Sequence, residues 1–75
     1  MRKPVRHAAR APLPHLQAGE DPSSEFIDDA VHWHNVYSAL MAGAATTNLP
    51  DKVIEFADRR DFWWRRWKAL RHRHP

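Results

Sequence analysis

The chain has 75 residues, contains no cysteine and carries a formal net charge of +3 at pH 7. This length allows one small domain with a limited core. The lack of cysteine excludes disulfides and thiolate metal sites, and it is typical of a reducing compartment. The sequence has no apolar run that could span a membrane and no apolar segment of a secretory signal peptide near its start, so we expect a cytoplasmic protein.

The charges are segregated along the chain. Residues 1–19 contain basic residues and no acid, residues 20–50 contain acids and no Lys or Arg, and residues 51–75 are again basic overall. Residues 1–21 also include Pro4, Pro12 and Pro14 and few apolar side chains. Because proline disfavours helix and little can be buried, we predict that residues 1–21 form an extended, flexible basic arm.

A first helix is predicted from about residue 22 to about residue 45. Asp21 suits the N-cap and Pro22 suits the first helical position. A weaker apolar stripe, which includes Ile27 and Val31, runs beside the main one. The main stripe repeats at intervals of four and three residues, as in a helix, and consists of Phe26, Ala30, Trp33, Tyr37, Leu40 and Ala44.

A second helix is predicted from about residue 50 to about residue 71, after a loop at about 46–49. Pro50 suits its first turn. Two helices joined by a short loop pack antiparallel, which brings the acidic start of the first beside the basic end of the second. We therefore expect ion pairs of Asp28 or Asp29 with Arg66 or Arg71.

These elements predict an all-α fold, an antiparallel two-helix hairpin at residues 22–75 with an extended basic, proline-rich N-terminal arm. Two helices of this length bury too little surface for much stability. We therefore expect the fold to be completed by dimerisation or by docking on a partner.

Residues 62–68 concentrate three of the four tryptophans among cationic residues. The predicted core consists of Trp33, Tyr37, Leu40, Phe56, Trp64 and Trp67. Interface anchors are enriched in Trp, Tyr and Arg. The predicted exposed partner contacts are accordingly Phe62, Trp63, Arg65 and Arg66, together with Ile27 and Val31 of the first helix.

No motif for catalysis, a cofactor or a metal accompanies this stretch. His32 and His34 are two residues apart and point to nearly opposite sides of a helix, whereas helical metal pairs need a spacing of three or four. The serines and threonines lack a nucleophile elbow, and glycine loops that cradle phosphate are absent. We expect neither an enzyme nor a cofactor.

The leading prediction is a small non-enzymatic module that binds a protein partner or a second copy of itself. A short, cysteine-free, helical chain with segregated charges resembles the accessory proteins of phages of GC-rich bacteria. That resemblance implies an inhibitor of a host protein, for example an anti-defence protein, or a small virion part. The first alternative is nucleic-acid binding through the basic second helix and the arm. The second is a small structural subunit of a larger assembly.

Overall fold

The computed structural model of the protein describes residues 16–73, so the predicted arm before residue 16 lies outside the described residues. Within this range the chain forms helix α1, Ile27–Thr46, and helix α2, Pro50–His72, with no strand. The two helices pack against each other, which confirms the all-α class and the helical hairpin. Neither of them is long and apolar enough to cross a membrane.

The hairpin is antiparallel. Arg73, just after α2, pairs with Glu25, just before α1, at 3.5 Å. Farther along, Arg60 donates to the sulfur of Met41 at 3.5 Å. The acidic start of α1 thus lies beside the basic end of α2, as the segregated charges predict.

Helix α1 begins at Ile27, later than the predicted start near residue 22. The reason is that Asp21 closes a turn instead of capping a helix: its Oδ1 accepts from the backbone N–H and the hydroxyl of Ser23, at 3.0 and 2.7 Å. Ser24 then donates to Asp29 at 2.5 Å and accepts from the backbone N–H of Phe26 at 3.2 Å. These contacts tie the chain to the first turn of α1.

The connection between the helices is a three-residue turn that ends α1 in a Schellman motif. Leu49 donates its backbone N–H to Ala44 O at 2.9 Å, and Asn48 donates to Ala45 O at 3.1 Å. Asn48 has a positive φ of 58°, the left-handed conformation that this motif requires. Pro50 opens α2 at a position where its missing N–H costs nothing.

The core lies between the helices and differs from the prediction at one tryptophan. Tyr37 is buried as predicted. Trp33, Leu40, Phe56 and Trp67 are half-buried and pack against the buried cluster. Trp63 is 0% exposed, whereas its neighbour Trp64, the predicted core residue, is 44% exposed. The buried cluster itself consists of Ala30, Tyr37, Trp63 and Leu70.

Helical geometry explains this exchange of the two tryptophans. Phe56, Trp63 and Leu70 are seven residues apart, so they form one line along α2 that faces α1. Trp64 is displaced from that line by about 100° around the helix. Phe26, the first member of the predicted stripe on α1, is exposed because it precedes the helix.

Candidate interaction surface

Residues 16–24, called the strap below, pack on the hairpin through the carboxylate of Glu20. The Glu20 side chain is 0% exposed. One of its oxygens accepts from Arg59 at 2.8 Å and from the Trp63 indole N–H at 2.6 Å. The other accepts from the Gln17 backbone N–H at 2.9 Å and from the Tyr37 hydroxyl. The described end of the predicted flexible arm is therefore attached to both helices.

The electrostatics of this cluster favour an ionised glutamate beside a neutral tyrosine. Burial raises the pKa of Glu20, but hydrogen bonds from Tyr37, Arg59, the Gln17 backbone and Trp63 outweigh burial and hold it below its ordinary 4.5. Burial, followed by the hydrogen bond to Glu20, raises the pKa of Tyr37 above its ordinary 10.0. The phenol therefore stays protonated and acts as a donor.

The buried guanidinium of Arg59 needs the Glu20 carboxylate as its counter-charge. The Arg59 side chain is only 11% exposed, and its guanidinium lies 4.7 Å from the centroid of the Phe62 ring. A cation in such a place needs a counter-charge, because an unpaired buried charge is strongly destabilising. The signal available in the sequence is a cation within the apolar face of α2, but nothing in the sequence pairs it with Glu20.

Arg66 provides the second attachment of the strap. Its Nε and Nη2 donate to the backbone carbonyl of Ser24 at 3.2 and 2.9 Å, and Nη2 also reaches Ser23 O at 3.3 Å. The predicted pairing of Arg66 with Asp28 or Asp29 is therefore wrong. Arg66 closes the gap between α2 and the segment that leads into α1.

The six predicted partner contacts occupy different environments. Val31 and Arg65 are exposed, as that prediction requires. Ile27 and Phe62 are half-buried and pack against the core, and Arg66 is half-buried under the strap. Trp63 cannot contact a partner in this conformation, because it is fully buried between the helices. Partner binding by the exposed residues stays a prediction.

The sequence pattern did not predict as one unit a partly exposed aromatic–basic face, which is formed by His34, Trp64, Trp67, Lys68 and Arg71. The indoles of Trp64 and Trp67 stack with centroids 4.9 Å apart and an angle of 21° between the rings. Lys68 lies 5.8 Å from the Trp64 centroid and Arg71 lies 4.8 Å from that of Trp67. His34 of α1 contacts Trp64 at 5.7 Å between centroids.

This face and the strap lie on opposite edges of the hairpin. Successive residues are about 100° apart around a helix. Arg59 and Arg66, which hold the strap, therefore lie on one side of Trp63, and Trp64 and Trp67 lie on the other. Stacking and cation–π contacts hold the indoles of Trp64 and Trp67 in one arrangement.

Among residues 16–73, no group of three or more His, Asp or Glu side chains is arranged to hold a metal ion. An open cleft at the end of the hairpin is lined by Glu25, Phe26, Ile27, Leu70 and Arg73. The two charged residues of this lining are already paired with each other.

No protein-family model, curated protein or solved structure matches this chain.

Proposed function

We propose that this protein is a small non-enzymatic protein-interaction module that binds an acidic surface of a partner protein through the aromatic–basic face. The observation that carries the proposal is the ordered, half-exposed stack of Trp64 on Trp67, with a cation over each indole. Preordered aromatic side chains lose little entropy on binding, and tryptophan and arginine are the commonest interface anchors.

The charges around the stack support an acidic partner. Several cations of the hairpin are already engaged within the chain. Arg59 pairs with Glu20, Arg60 with Asp61, and Arg73 with Glu25. Lys68 instead lies over the exposed Trp64 and Arg71 over the half-buried Trp67, at the rim of an apolar patch. Carboxylates around an apolar centre on the partner would complement this arrangement.

Matched variants of the full chain test this proposal by affinity capture. Trp64→Ala and Arg71→Glu remove the apolar centre and reverse one rim charge. Ile54→Ala removes another exposed apolar side chain of α2 and is the control. We expect the wild type and Ile54→Ala to retain the same partner protein. Trp64→Ala should not retain it, and Arg71→Glu should retain less of it. Equal retention by Trp64→Ala would remove this face from the interaction.

Nucleic-acid binding is the second candidate, because indoles and cations on one face are also what single strands bind. Against it, Trp64 already stacks on Trp67, and Asp61 lies in the neighbouring turn of α2. Binding of single-stranded probes at low salt that weakens steeply as salt rises, and that requires Trp64, would favour this candidate over the protein partner.

A further inference from the structure

Three donors from the two helices form a cradle around the Glu20 carboxylate. Tyr37 comes from α1, and Arg59 and Trp63 come from α2. All three donors belong to the packed hairpin, so the helices, and not the strap, determine their positions. The carboxylate is supplied from outside the helices, by the strap, whose other side-chain bonds to the helices are those from Arg66 and the bond of Ser24 to Asp29.

The strap is attached mainly by polar contacts. Ala18 and Gly19 are exposed, and Leu16 is half-buried. Apart from the bonds to Glu20, the hydrogen bonds between the strap and α2 are those that Arg66 donates to the carbonyls of Ser23 and Ser24. Because the segment buries few apolar side chains, its attachment depends on Glu20 more than on hydrophobic packing.

We propose that the cradle of Tyr37, Arg59 and Trp63 is a carboxylate-binding site that takes an Asp or Glu side chain of a partner protein when the strap is displaced. Glu20 occupies this site in the absence of that partner, as an intramolecular competitor. The proposal does not depend on the aromatic–basic face, which lies on the opposite edge of the hairpin.

The donor set selects a carboxylate. Arg59 and the Trp63 indole share one oxygen of Glu20, and the Tyr37 hydroxyl donates to the other, so both oxygens of a planar group are bound. Arg59 supplies a single positive charge, which balances one monoanion and leaves a phosphate dianion uncompensated. Neutral amides lack the second acceptor and the charge.

Competition by Glu20 determines the affinity that a ligand in trans can show. A group tethered by a short flexible segment has an effective concentration in the millimolar range. A peptide carboxylate therefore binds the wild type weakly, and removal of the Glu20 side chain should strengthen its binding. A ligand that bound elsewhere on the hairpin would be insensitive to that change.

A synthetic peptide with the sequence of residues 16–24 is the probe, and titration calorimetry with the full chain is the measurement. We expect the peptide to bind Glu20→Ala at least ~10-fold more tightly than it binds the wild type. A peptide with glutamine in place of its glutamate should bind Glu20→Ala at least ~10-fold more weakly than the glutamate peptide. Equal affinity of the glutamate peptide for wild type and variant, or of the two peptides for the variant, would overturn the proposal.

Two further variants keep the experiment decisive. Glu20→Gln replaces Glu20→Ala if the alanine variant does not fold, because glutamine keeps the shape of the side chain and removes its charge. This variant should also bind the glutamate peptide more tightly than the wild type does. Glu25→Ala removes an exposed glutamate of similar position, paired at 3.5 Å with Arg73, and should bind the peptide as the wild type does. Tighter binding by Glu25→Ala would show a general charge effect and would overturn the proposal.

Discussion

Glu20 connects the three parts of the described structure. Its carboxylate accepts hydrogen bonds from the strap itself, from Tyr37 of α1, and from Arg59 and Trp63 of α2. A buried ion pair adds little net stability compared with apolar packing, but the loss of one partner leaves an uncompensated charge. Glu20 thus attaches the strap to both helices and balances the buried charge of Arg59.

Removal of the Glu20 side chain should be far more destabilising than removal of a surface glutamate. Glu20→Ala leaves Arg59 buried and unpaired, and we expect a loss of about 3–5 kcal/mol in the free energy of unfolding. Glu25→Ala breaks an exposed pair with Arg73 and should cost about 0–1 kcal/mol. Urea denaturation followed by circular dichroism measures both, and similar losses would contradict the role assigned to Glu20.

Acid should release the stabilisation that Glu20 provides. The pKa of this carboxyl in the folded protein lies below its ordinary 4.5, so the unfolded chain binds the proton more readily. The contribution is fully present above pH 4.5 and is lost as the pH falls through the lower, folded-state value. Two side chains that carry a charge or can titrate are hydrogen-bonded to it, Arg59 and Tyr37, and the pKa of Tyr37 is raised above its ordinary 10.0, so the phenol stays protonated in this range.

Melting temperatures from pH 7 down to pH 3 check this expectation. Glu20→Gln is the control, because glutamine does not titrate while the other carboxylates are unchanged. The difference in stability between wild type and Glu20→Gln should shrink as the pH falls. A constant difference over this range would contradict an ionised Glu20 in the folded state.

At the scale of the element, α2 assigns adjacent tryptophans to different tasks. Trp63 lies on the line of Phe56 and Leu70 and donates to Glu20, whereas Trp64 stacks on Trp67 at the surface. We expect Trp63→Ala to lower the free energy of unfolding by about 3–5 kcal/mol, because it opens a cavity and removes a hydrogen-bond donor to the buried carboxylate. Trp64→Ala should cost less than about 1 kcal/mol. Thermal melts of the two variants compare them, and a larger loss for Trp64→Ala would contradict the packing.

The turn between the helices depends on Asn48, whose φ of 58° is in the left-handed region. A side chain branched at Cβ is strained there, so Asn48→Val should destabilise the hairpin by about 1–2 kcal/mol. Asn48→Gly should be close to neutral, because glycine adopts this conformation readily. Denaturation midpoints of the two variants test the turn, and equal midpoints would contradict it.

At the scale of the whole molecule, the strap acts as a third layer on one edge of a two-helix hairpin. The opposite edge carries the aromatic–basic face, with Lys68 over Trp64 and Arg71 over Trp67. A two-fold contact of this face with itself would bring like charges together. Under the proposed function, this repulsion favours the docking of a different, acidic protein over a dimer that uses this face.

Light scattering tests the choice between dimer and partner. We expect the wild type to have the mass of a monomer, 8.8 kDa, at concentrations of about 10–100 μM. A dimer is seen in this range only if its dissociation constant is not much above these concentrations. A dimer that becomes monomeric with Trp64→Ala but not with Ile54→Ala would instead assign the face to self-association.

The sequence alone determined that two helices form, that a short turn before Pro50 joins them and that they pack antiparallel, because helical period, proline position and charge segregation can be read along the chain. It also identified Tyr37 as core. It did not determine the start of α1, because Asp21 closes a turn instead of capping a helix. The tertiary structure decided that Trp63 is buried and Trp64 exposed. Four aromatic residues between Phe62 and Trp67 allow more than one inward face for α2, and local patterns do not choose between them. In the folded chain the inward face is the one that carries Phe56, Trp63 and Leu70, and on it Glu20, distant in sequence, pairs with Arg59 and the Trp63 indole.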